Sequence, residues 1–337
     1  MRSEPTPGQA ITVYGAYGHT GKFVAAELRR RGWTPIHSGR DAAKLAAAAR
    51  GGEVRPASVE DPDALDRALA GAVAVINCAG PFAETTPPLI DAARRAGIPY
   101  LDVTGEALVA ISTFERYADG DRSIVIAPTM AFFGALGDLL ATAAARDWDA
   151  VDEVSVAVAL DSWKPTLGST KAGERRAGRR VVYRDGGFTV LPGDNPPPTG
   201  TWEFPAPFGT QEVVGEVSAT DIVTIPRHLR TPVVHAYLNT RPLADLRDPE
   251  TTGPEAVDDR GRSAQRFLVE VVVRRGNEER RVSAHGQDIY WFTAPIVVEA
   301  AERVLDGRAK VTGVATAGEL FDARDFLESL PFDQLSL

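Results

Sequence analysis

From Ala10 to about Pro128, short apolar runs alternate with stretches whose apolar residues recur at helical spacing. Ile11–Tyr14 is an apolar run that stops at glycine, and Lys22–Arg31 then carries Phe23, Val24, Ala26 and Leu28 on a helical period. Thr34–Ser38 and Val54–Ala57 read as the second and third strands. Between them lies the Ala-rich helix Asp41–Ala49, with Asp41 as its N-cap. Asp61 caps a helix over Asp61–Leu69, with Pro62 in its first turn. Ala72–Asn77 (AVAVIN) is a buried fourth strand, Pro87–Ala96 a helix ending at Gly97, and Tyr100–Val103 and Ser123–Ile126 are further strands. Strand–helix alternation without tight hairpin turns predicts a parallel, doubly wound sheet with right-handed crossovers.

The pattern changes after Gly134. A helix is expected over Ala135–Asp147, followed by β-rich segments at Glu153–Leu160, Arg180–Tyr183, Val233–Asn239, Arg266–Arg274 and Glu279–Ala284. Phe267–Val273 (FLVEVVV) is the strongest of these strands, and Gly276–Asn277 marks a hairpin turn. The Pro/Gly-rich stretch Leu191–Pro207 reads as a long surface loop. Pro295–Leu305 and Ala323–Leu330 return to helical periodicity. The predicted fold is therefore α/β: a doubly wound parallel domain at 1–130 and a second, mixed α/β domain with a largely antiparallel sheet at 131–289. The helices of about 290–337 are expected to pack back on the first domain.

Composition narrows the function. The 337 residues carry 37 Lys+Arg against 46 Asp+Glu, a net charge of −9. An acidic chain without a basic stripe is a poor nucleic-acid ligand, because phosphate neutralisation supplies most of that affinity. The Arg-rich stretch Glu174–Arg180 is a local exception and reads as a solvated face. Cys78 is the only cysteine, so no internal disulfide can form, and no Cys/His spacing suggests a metal site. The first residues lack an apolar signal region and no apolar run reaches membrane-spanning length. A soluble cytoplasmic protein is expected, without membrane or nucleic-acid partners.

The decisive segment is Gly15-Ala16-Tyr17-Gly18-His19-Thr20-Gly21, directly after the first strand and opening the first helix. Gly15 permits the tight turn, Gly18 lets backbone approach a pyrophosphate, and Gly21 lets helix and strand pack closely. The helix start then offers N–H groups and partial positive charge to phosphates. This is the dinucleotide-binding arrangement of a Rossmann-type domain, with Tyr17, His19 and Thr20 shaping the loop or covering the cofactor. The second strand ends at Ser38-Gly39-Arg40. Domains that prefer NAD usually place a carboxylate there for the ribose hydroxyl. Arg40 can instead pair with a 2′-phosphate, with Lys44 one turn on as helper, which favours NADP(H). After the fourth strand, Cys78-Ala79-Gly80-Pro81-Phe82 forms a rigid loop placed to lie along the nicotinamide ribose. Cys78 is read as a small buried residue rather than a nucleophile.

Together these segments resemble the saccharopine dehydrogenase-like NADP-binding oxidoreductases. The resemblance rests on the glycine loop, Ser38-Gly39-Arg40, Asn77-Cys78-Ala79-Gly80-Pro81-Phe82 and Tyr100-Leu101-Asp102-Val103-Thr104-Gly105-Glu106. Gly286-Gln287-Asp288-Ile289-Tyr290 and Thr293-Ala294 match farther along. It is strong over about the first 140 residues and patchy beyond. It implies a Rossmann domain plus a mixed α/β domain, often in a homodimer, and a family that includes reducers of imines and enoyl groups. Where members often carry a polar Phe-Asp-Ser-Val-Pro-Ser-Asp-like run, this chain reads Met130-Ala131-Phe132-Phe133-Gly134-Ala135-Leu136-Gly137-Asp138. That suggests a more apolar pocket wall and argues against a polar amino-acid substrate.

Hydride transfer asks little of the protein beyond placement, but a reductase needs a proton donor. No nucleophilic triad is legible, and Tyr117 is not followed by the lysine of a Tyr-x-x-x-Lys pair. Thr104 and Gly105 fit the pocket rim, while Thr104 and Glu106 equally fit a helix start. Asp138 fits either a place near the nicotinamide or the first turn of its helix. Lys164, Thr170, Lys171, His228, His235, Tyr237 and Tyr290 are the polar candidates of the second domain, with Tyr290, His235 or Lys171 as proton donor. The expected function is an NADPH-dependent reductase of a C=N, C=C or C=O bond in a small, moderately apolar molecule. The alternatives are a non-catalytic NADP(H)-binding sensor or partner-binding protein, and an enzyme in which the cofactor is only transiently oxidised.

Overall fold

The computed structural model describes residues 9–120, 122–176, 179–248 and 250–337. The first elements alternate strand and helix: β1 (Ala10–Tyr14), α1 (His19–Arg30), β2 (Thr34–Gly39), α2 (Ala42–Ala49), β3 (Val54–Pro56), α3 (Pro62–Leu69), β4 (Ala72–Asn77), α4 (Phe82–Ala96), β5 (Tyr100–Asp102), α5 (Ala107–Tyr117) and β6 (Val125–Ala127). A π turn at Phe132–Leu136 leads into α6 (Gly137–Ala145), β7 (Glu153–Leu160), α7 (Leu167–Arg176), β8 (Arg180–Arg184), β9 (Gly187–Leu191), β10 (Thr199–Glu203) and β11 (Thr210–Val214). Next come the one-turn α8 (Asp221–Thr224), a 3-10 turn at Ile225–Arg227, β12 (Val234–Asn239), α9 (Arg241–Arg247), β13 (Arg266–Arg275) and β14 (Glu278–Gln287). The chain closes with α10 (Ile289–Leu305), β15 (Gly313–Val314), α11 (Ala317–Leu320), α12 (Ala323–Glu328) and β16 (Gln334–Ser336).

Two compact units result. The first holds the chain up to Gly105, then Val109–Ala131 and Thr293–Phe321; the second holds Glu106–Leu108, Phe132–Phe292 and Asp322–Leu337. In the first, the strands among the described residues lie in the order β15-β6-β5-β4-β1-β2-β3, every pairing parallel. The chain builds outward from β1 to β3, then returns to β1's other side at β4, so the topological switch lies beyond the C-terminal ends of β1 and β4. Ile36, Leu65, Leu69, Val75, Leu89, Ile90, Tyr100 and Ile126 fill its core. The helix ends follow the sequence signals: Asp41 accepts from Lys44 N at 3.0 Å and Asp61 from Ala64 N at 2.9 Å, and Gly97 closes α4 at φ 66°.

The later part of α10 joins this unit through buried charge. Arg31, whose side chain is 5% exposed, reaches Glu27 at 2.7 Å, Glu299 at 2.5 Å and Glu302 at 2.6 Å. Arg303 donates to Glu299 at 2.9 Å and the Trp33 indole to Glu302 at 3.0 Å. A buried guanidinium surrounded this way is costly to strip of partners, and its carboxylates hold its pKa above the ordinary arginine value.

The second unit is built on a mixed sheet ordered β10-β11-β12-β7-β13-β14-β16, with β8 paired to β12 and β9 to β8. β7 and β12 run parallel, while the other pairings are antiparallel. The expected hairpin is present: β13 and β14 turn at Gly276, φ 58°. The stretch Leu191–Pro207 is not a loop throughout, however. Thr199–Glu203 is a strand paired to β11, held down by Trp202, whose indole donates to Glu270 at 2.6 Å and whose ring lies 5.2 Å from Tyr237. The proline run just before it hid this strand, since prolines are depleted from ladders. Helix α5, for which Thr104 and Glu106 offer a start in the sequence, begins at Ala107. The last stretch, from Asp322, belongs to the second unit and not to the first: β16 pairs with β14. The Arg-rich stretch at 174–180 lies partly outside the described residues.

Candidate dinucleotide-binding site

The glycine loop is shaped by its lack of side chains. Gly15 sits at φ +83°, and a Cβ there would come within 2.8 Å of Ala79 Cβ and 2.9 Å of Ala79 N in the loop after β4. Gly21 packs so closely that a Cβ would strike the Gly15 carbonyl and lie 2.9 Å from Ala16 Cα. A Cβ on Gly18 would approach Gly15 O to 3.1 Å, and Gly18 N donates to that oxygen at 2.9 Å. The loop is fastened to β2 because Gly15 N and Ala16 N donate to Ser38 O at 2.8 and 3.3 Å. Helix α1 then begins at His19 with no capping side chain and no acidic residue in its first turn. Its first turn, His19 to Gly21, is the end of a helix where an anion is favoured. The His19 ring packs edge-on against Phe23 at 5.0 Å.

At the end of β2, Gly39 at φ +147° leaves room for the Tyr17 ring, whose Cε1 lies 3.1 Å from where a Cβ would stand. Lys44 Nζ is 5.9 Å from the centre of that ring and 3.1 Å from Asp41 Oδ2. Arg40 is exposed and makes no hydrogen bond or ion pair among the described residues. Asp41, the nearest carboxylate in sequence, is occupied at the start of α2. Its bonds to the Lys44 amide and ammonium hold the carboxyl below its usual range.

Below the ends of β4 and β5 lies a buried polar network that the sequence reading did not anticipate. Asn77 Nδ2 donates to Thr85 Oγ1 at 3.0 Å and to Tyr100 Oη at 3.1 Å, while Asn77 Oδ1 accepts from Ala79 N at 3.0 Å. Thr85 donates to Ala79 O at 2.6 Å. Tyr100 donates to Asp102 Oδ2 at 2.9 Å. Asp102 Oδ1 takes the N–H groups of Thr104 at 3.0 Å and Thr129 at 2.9 Å. Asn77 and Asp102 are thus the posts on which Cys78–Pro81, Thr104–Gly105 and the chain after β6 are hung. Burial raises the Asp102 carboxyl above the ordinary range, against the pull of those donors. Pro81 stands at the N-cap of α4, which opens at Phe82. Cys78, partly exposed as a residue, donates its N–H to Tyr14 O at 2.8 Å. Burial of its sulfur, with the nearby Asp102 charge, pushes the thiol well above the usual cysteine value.

This geometry agrees with comparison to known proteins. Residues 15–118 match the family model described as NAD(P)H-binding. A probable mitochondrial saccharopine dehydrogenase-like oxidoreductase from Arabidopsis thaliana is 31% identical over 31% of this chain and 27% of its own length. A trans-acting enoyl reductase from Mycobacterium tuberculosis is 30% identical over 35% of this chain and 31% of its own. The match thus spans less than a third of these curated relatives. Apo saccharopine dehydrogenase (L-Glu forming) from Saccharomyces cerevisiae shares the fold: TM-score 0.64 over 95% of this chain and 96% of that one, at 13% identity. Over about a third of its length the chain is similar to saccharopine dehydrogenase-like and enoyl reductase proteins, and it shares the fold of saccharopine dehydrogenase. Its first unit carries an NAD(P)H-binding domain, and no described helix is long and apolar enough to cross a membrane.

The remaining candidates belong to the second unit and are not gathered together. Tyr290, near the start of α10, has a hydroxyl that accepts from Trp163 Nε1 at 2.9 Å and from Thr166 N at 3.3 Å and lies 2.9 Å from Ser169 Oγ. It lines a cavity of about 110 Å³ with Ser162, Lys164, Pro254, Glu255, Val257, Ser263, Ala264 and Gln265. The polar groups there are largely committed to one another: Gln265 donates to Ser162 O at 2.6 Å, and Lys164 and Glu255 stand 4.0 Å apart. His235 is half-buried on β12, its ring 6.0 Å from Tyr237. Lys171 is exposed on α7. Thr170 bonds back to Thr166 O at 3.3 Å, and Glu106 pairs with Arg175 at 3.0 Å. Asp138 is fully buried in the first turn of α6, 2.6 Å from His228 Nε2.

Proposed function

We propose that the chain is an NADPH-dependent oxidoreductase that reduces a C=N, C=C or C=O bond of a small, moderately apolar substrate. The observation that carries the reading is the pairing of a helix start at His19 without a side-chain cap or acidic residue with an Arg40 guanidinium that makes no ion pair among the described residues. The residues present suit such a cofactor. A Cβ at Gly15 or Gly21 would strike neighbouring backbone, so the loop at the helix start is held tight and bare of side chains at these positions. The only carboxylate within one residue of Arg40 is turned to its own helix, so nothing there favours a free ribose hydroxyl over a phosphate.

On this reading the backbone from Gly15 to Gly21, with Tyr17, His19 and Thr20, holds the diphosphate. Gly39, Arg40 and Lys44 take the adenosine end and its 2′-phosphate, Lys44 exchanging Asp41 for the phosphate. Cys78, Ala79, Gly80, Pro81, Phe82, Thr104 and Gly105 line the nicotinamide side. Their loops are held by Asn77 and Asp102, so the surface is set before anything binds. When bound, NADPH supplies the hydride. Reduction also needs a proton donor, and of Tyr290, His235 and Lys171 the first is the best supported. Its hydroxyl accepts from Trp163 and Thr166 and has Ser169 within reach as a partner for its proton.

Calorimetry with NADPH and NADH is the first test, with tighter binding of NADPH expected. Absorbance-monitored oxidation of NADPH on a panel of imines, enones and ketones is the second. Absence of heat with either nucleotide would sink the reading. Tight NADPH binding without turnover across the panel would favour a sensor. The homodimer implied by the resemblance is part of the proposal and is checked by light scattering.

A further inference from the structure

Within the second unit, three ionisable side chains gather around the start of α6. Asp138 is fully buried and pairs with His228 at 2.6 Å. Asp221, which opens α8, is 2% exposed. It accepts the backbone N–H groups of Gly134 and Gly137, and a Cβ on Gly137 would collide with its Oδ1. Its other oxygen, Oδ2, and the neighbouring Thr220 Oγ1 are buried without a hydrogen-bond partner among the described residues.

The backbone that Asp221 grips is bent. Phe133 (φ −86°, ψ 122°) and Gly134 (φ 111°, ψ −78°) break the π turn just before α6, and Thr224 Oγ1 donates to Gly134 O at 3.4 Å. The main segment of the second unit begins at Phe132, so this kink lies at its start. Helix α6 has no side-chain cap of its own at Leu136; the carboxyl of Asp221 serves from across the fold.

The charges around this carboxyl are not balanced. The elements packed on α8 bring Asp138 from α6, Arg227 and His228 from the 3-10 turn and its end, Arg180, Tyr183 and Arg184 from β8, and His235 and Tyr237 from β12. Of these, Asp138 is the one whose charge bears on Asp221, and it opposes ionisation. A buried carboxyl with one oxygen lacking a donor, beside a second carboxylate, is most stable protonated.

We propose that Asp221 is a proton-controlled clasp on the Phe132–Gly137 kink, seated against the start of α6 when protonated and driven toward water when ionised. Burial, reinforced by Asp138, pushes the carboxyl up to about 7, which places the exchange in the neutral range. The direction follows from linkage. An unfolded aspartate loses its proton near pH 4, whereas this one keeps it until about 7. Its contribution to stability is complete below the lower value and is lost as pH rises through the higher one. That slope is opposite to the one an ion-paired aspartate gives.

The test is thermal unfolding of the full chain between about pH 5 and pH 8, for wild type, Asp221→Asn and Asp138→Asn, together with amide hydrogen exchange at Gly134 and Gly137. Wild type should lose melting temperature across the window, and protection of the two amides should fall about tenfold, corrected for intrinsic exchange. Asp221→Asn should remove this component of the slope. Asp138→Asn should move the wild-type transition to lower pH. If Asp221→Asn does not fold, wild-type exchange and Asp138→Asn decide. An unchanged slope in Asp221→Asn overturns the proposal, as do pH-independent protection in wild type or an unmoved transition in Asp138→Asn.

Discussion

The strand ends of the first unit and the surroundings of Tyr290 in the second are both rich in polar groups, yet they are organised in opposite ways. At the strand ends, Asn77, Tyr100 and Asp102 satisfy one another and the loop amides from below, and nearby the first turn of α1 carries no capping side chain or acidic residue while Arg40 makes no ion pair among the described residues. Around Tyr290 the hydroxyl is itself taken up by Trp163, Thr166 and Ser169, and the Gln265 amide is spent on the Ser162 carbonyl. Buried polar networks are stable only when complete. The first unit completes its network beneath the surface and keeps a surface for a guest; the second completes it at the surface. A preorganised binding site needs the first arrangement.

The contrast can be broken most severely at Gly21. Gly21→Val places carbon against the backbone of Gly15 and Ala16, where no side-chain rotation can relieve it. We expect a loss of about 3 kcal/mol in stability by denaturant titration, and no nucleotide binding by calorimetry in whatever folds. Arg40→Ala is next. It should weaken NADPH by one to two orders of magnitude, about 1.5–3 kcal/mol for a charge-assisted contact, and leave NADH unchanged. Equal loss for both nucleotides would remove the assignment of Arg40 to the phosphate. Tyr100→Phe strips one donor from Asp102 and one acceptor from Asn77 and should cost about 1–3 kcal/mol of stability.

The second unit should respond more weakly. Tyr290→Phe should cost about 1 kcal/mol of stability, leave NADPH binding unchanged, and lower turnover on any substrate found. A shift in NADPH affinity as large as that of Arg40→Ala would erase the distinction between the two regions. Lys171→Ala, at an exposed position on α7, should change stability by no more than about 0.5 kcal/mol and turnover not at all if Tyr290 is the donor.

The features legible in the sequence were those written locally. Gly15, Gly18 and Gly21 show by absence where backbone meets backbone, and Arg40 follows its strand at once, so adjacency in the chain is adjacency in space. The caps at Asp41 and Asp61 and the β13–β14 turn are local in the same sense. The role of the Asn77–Tyr100–Asp102 network is not legible in the sequence, because a polar residue ending an apolar strand reads the same whether it meets solvent or a buried partner. Strand β10 was masked by the prolines before it, although its alternation places Trp202 on Glu270. The clasp of Asp221 on Gly137 joins residues far apart in the chain, and nothing around either one announces the other. The proton donor is the extreme case, since its identity depends on placement alone.

Cys78 has a practical consequence. It is the chain's sole sulfhydryl, and its surroundings keep it protonated far above neutral pH. Thiolate chemistry at neutral pH should therefore pass it by. A cysteine introduced at an exposed position such as Lys171 would be the preferred attachment point for a maleimide dye or spin label on the otherwise unaltered folded protein.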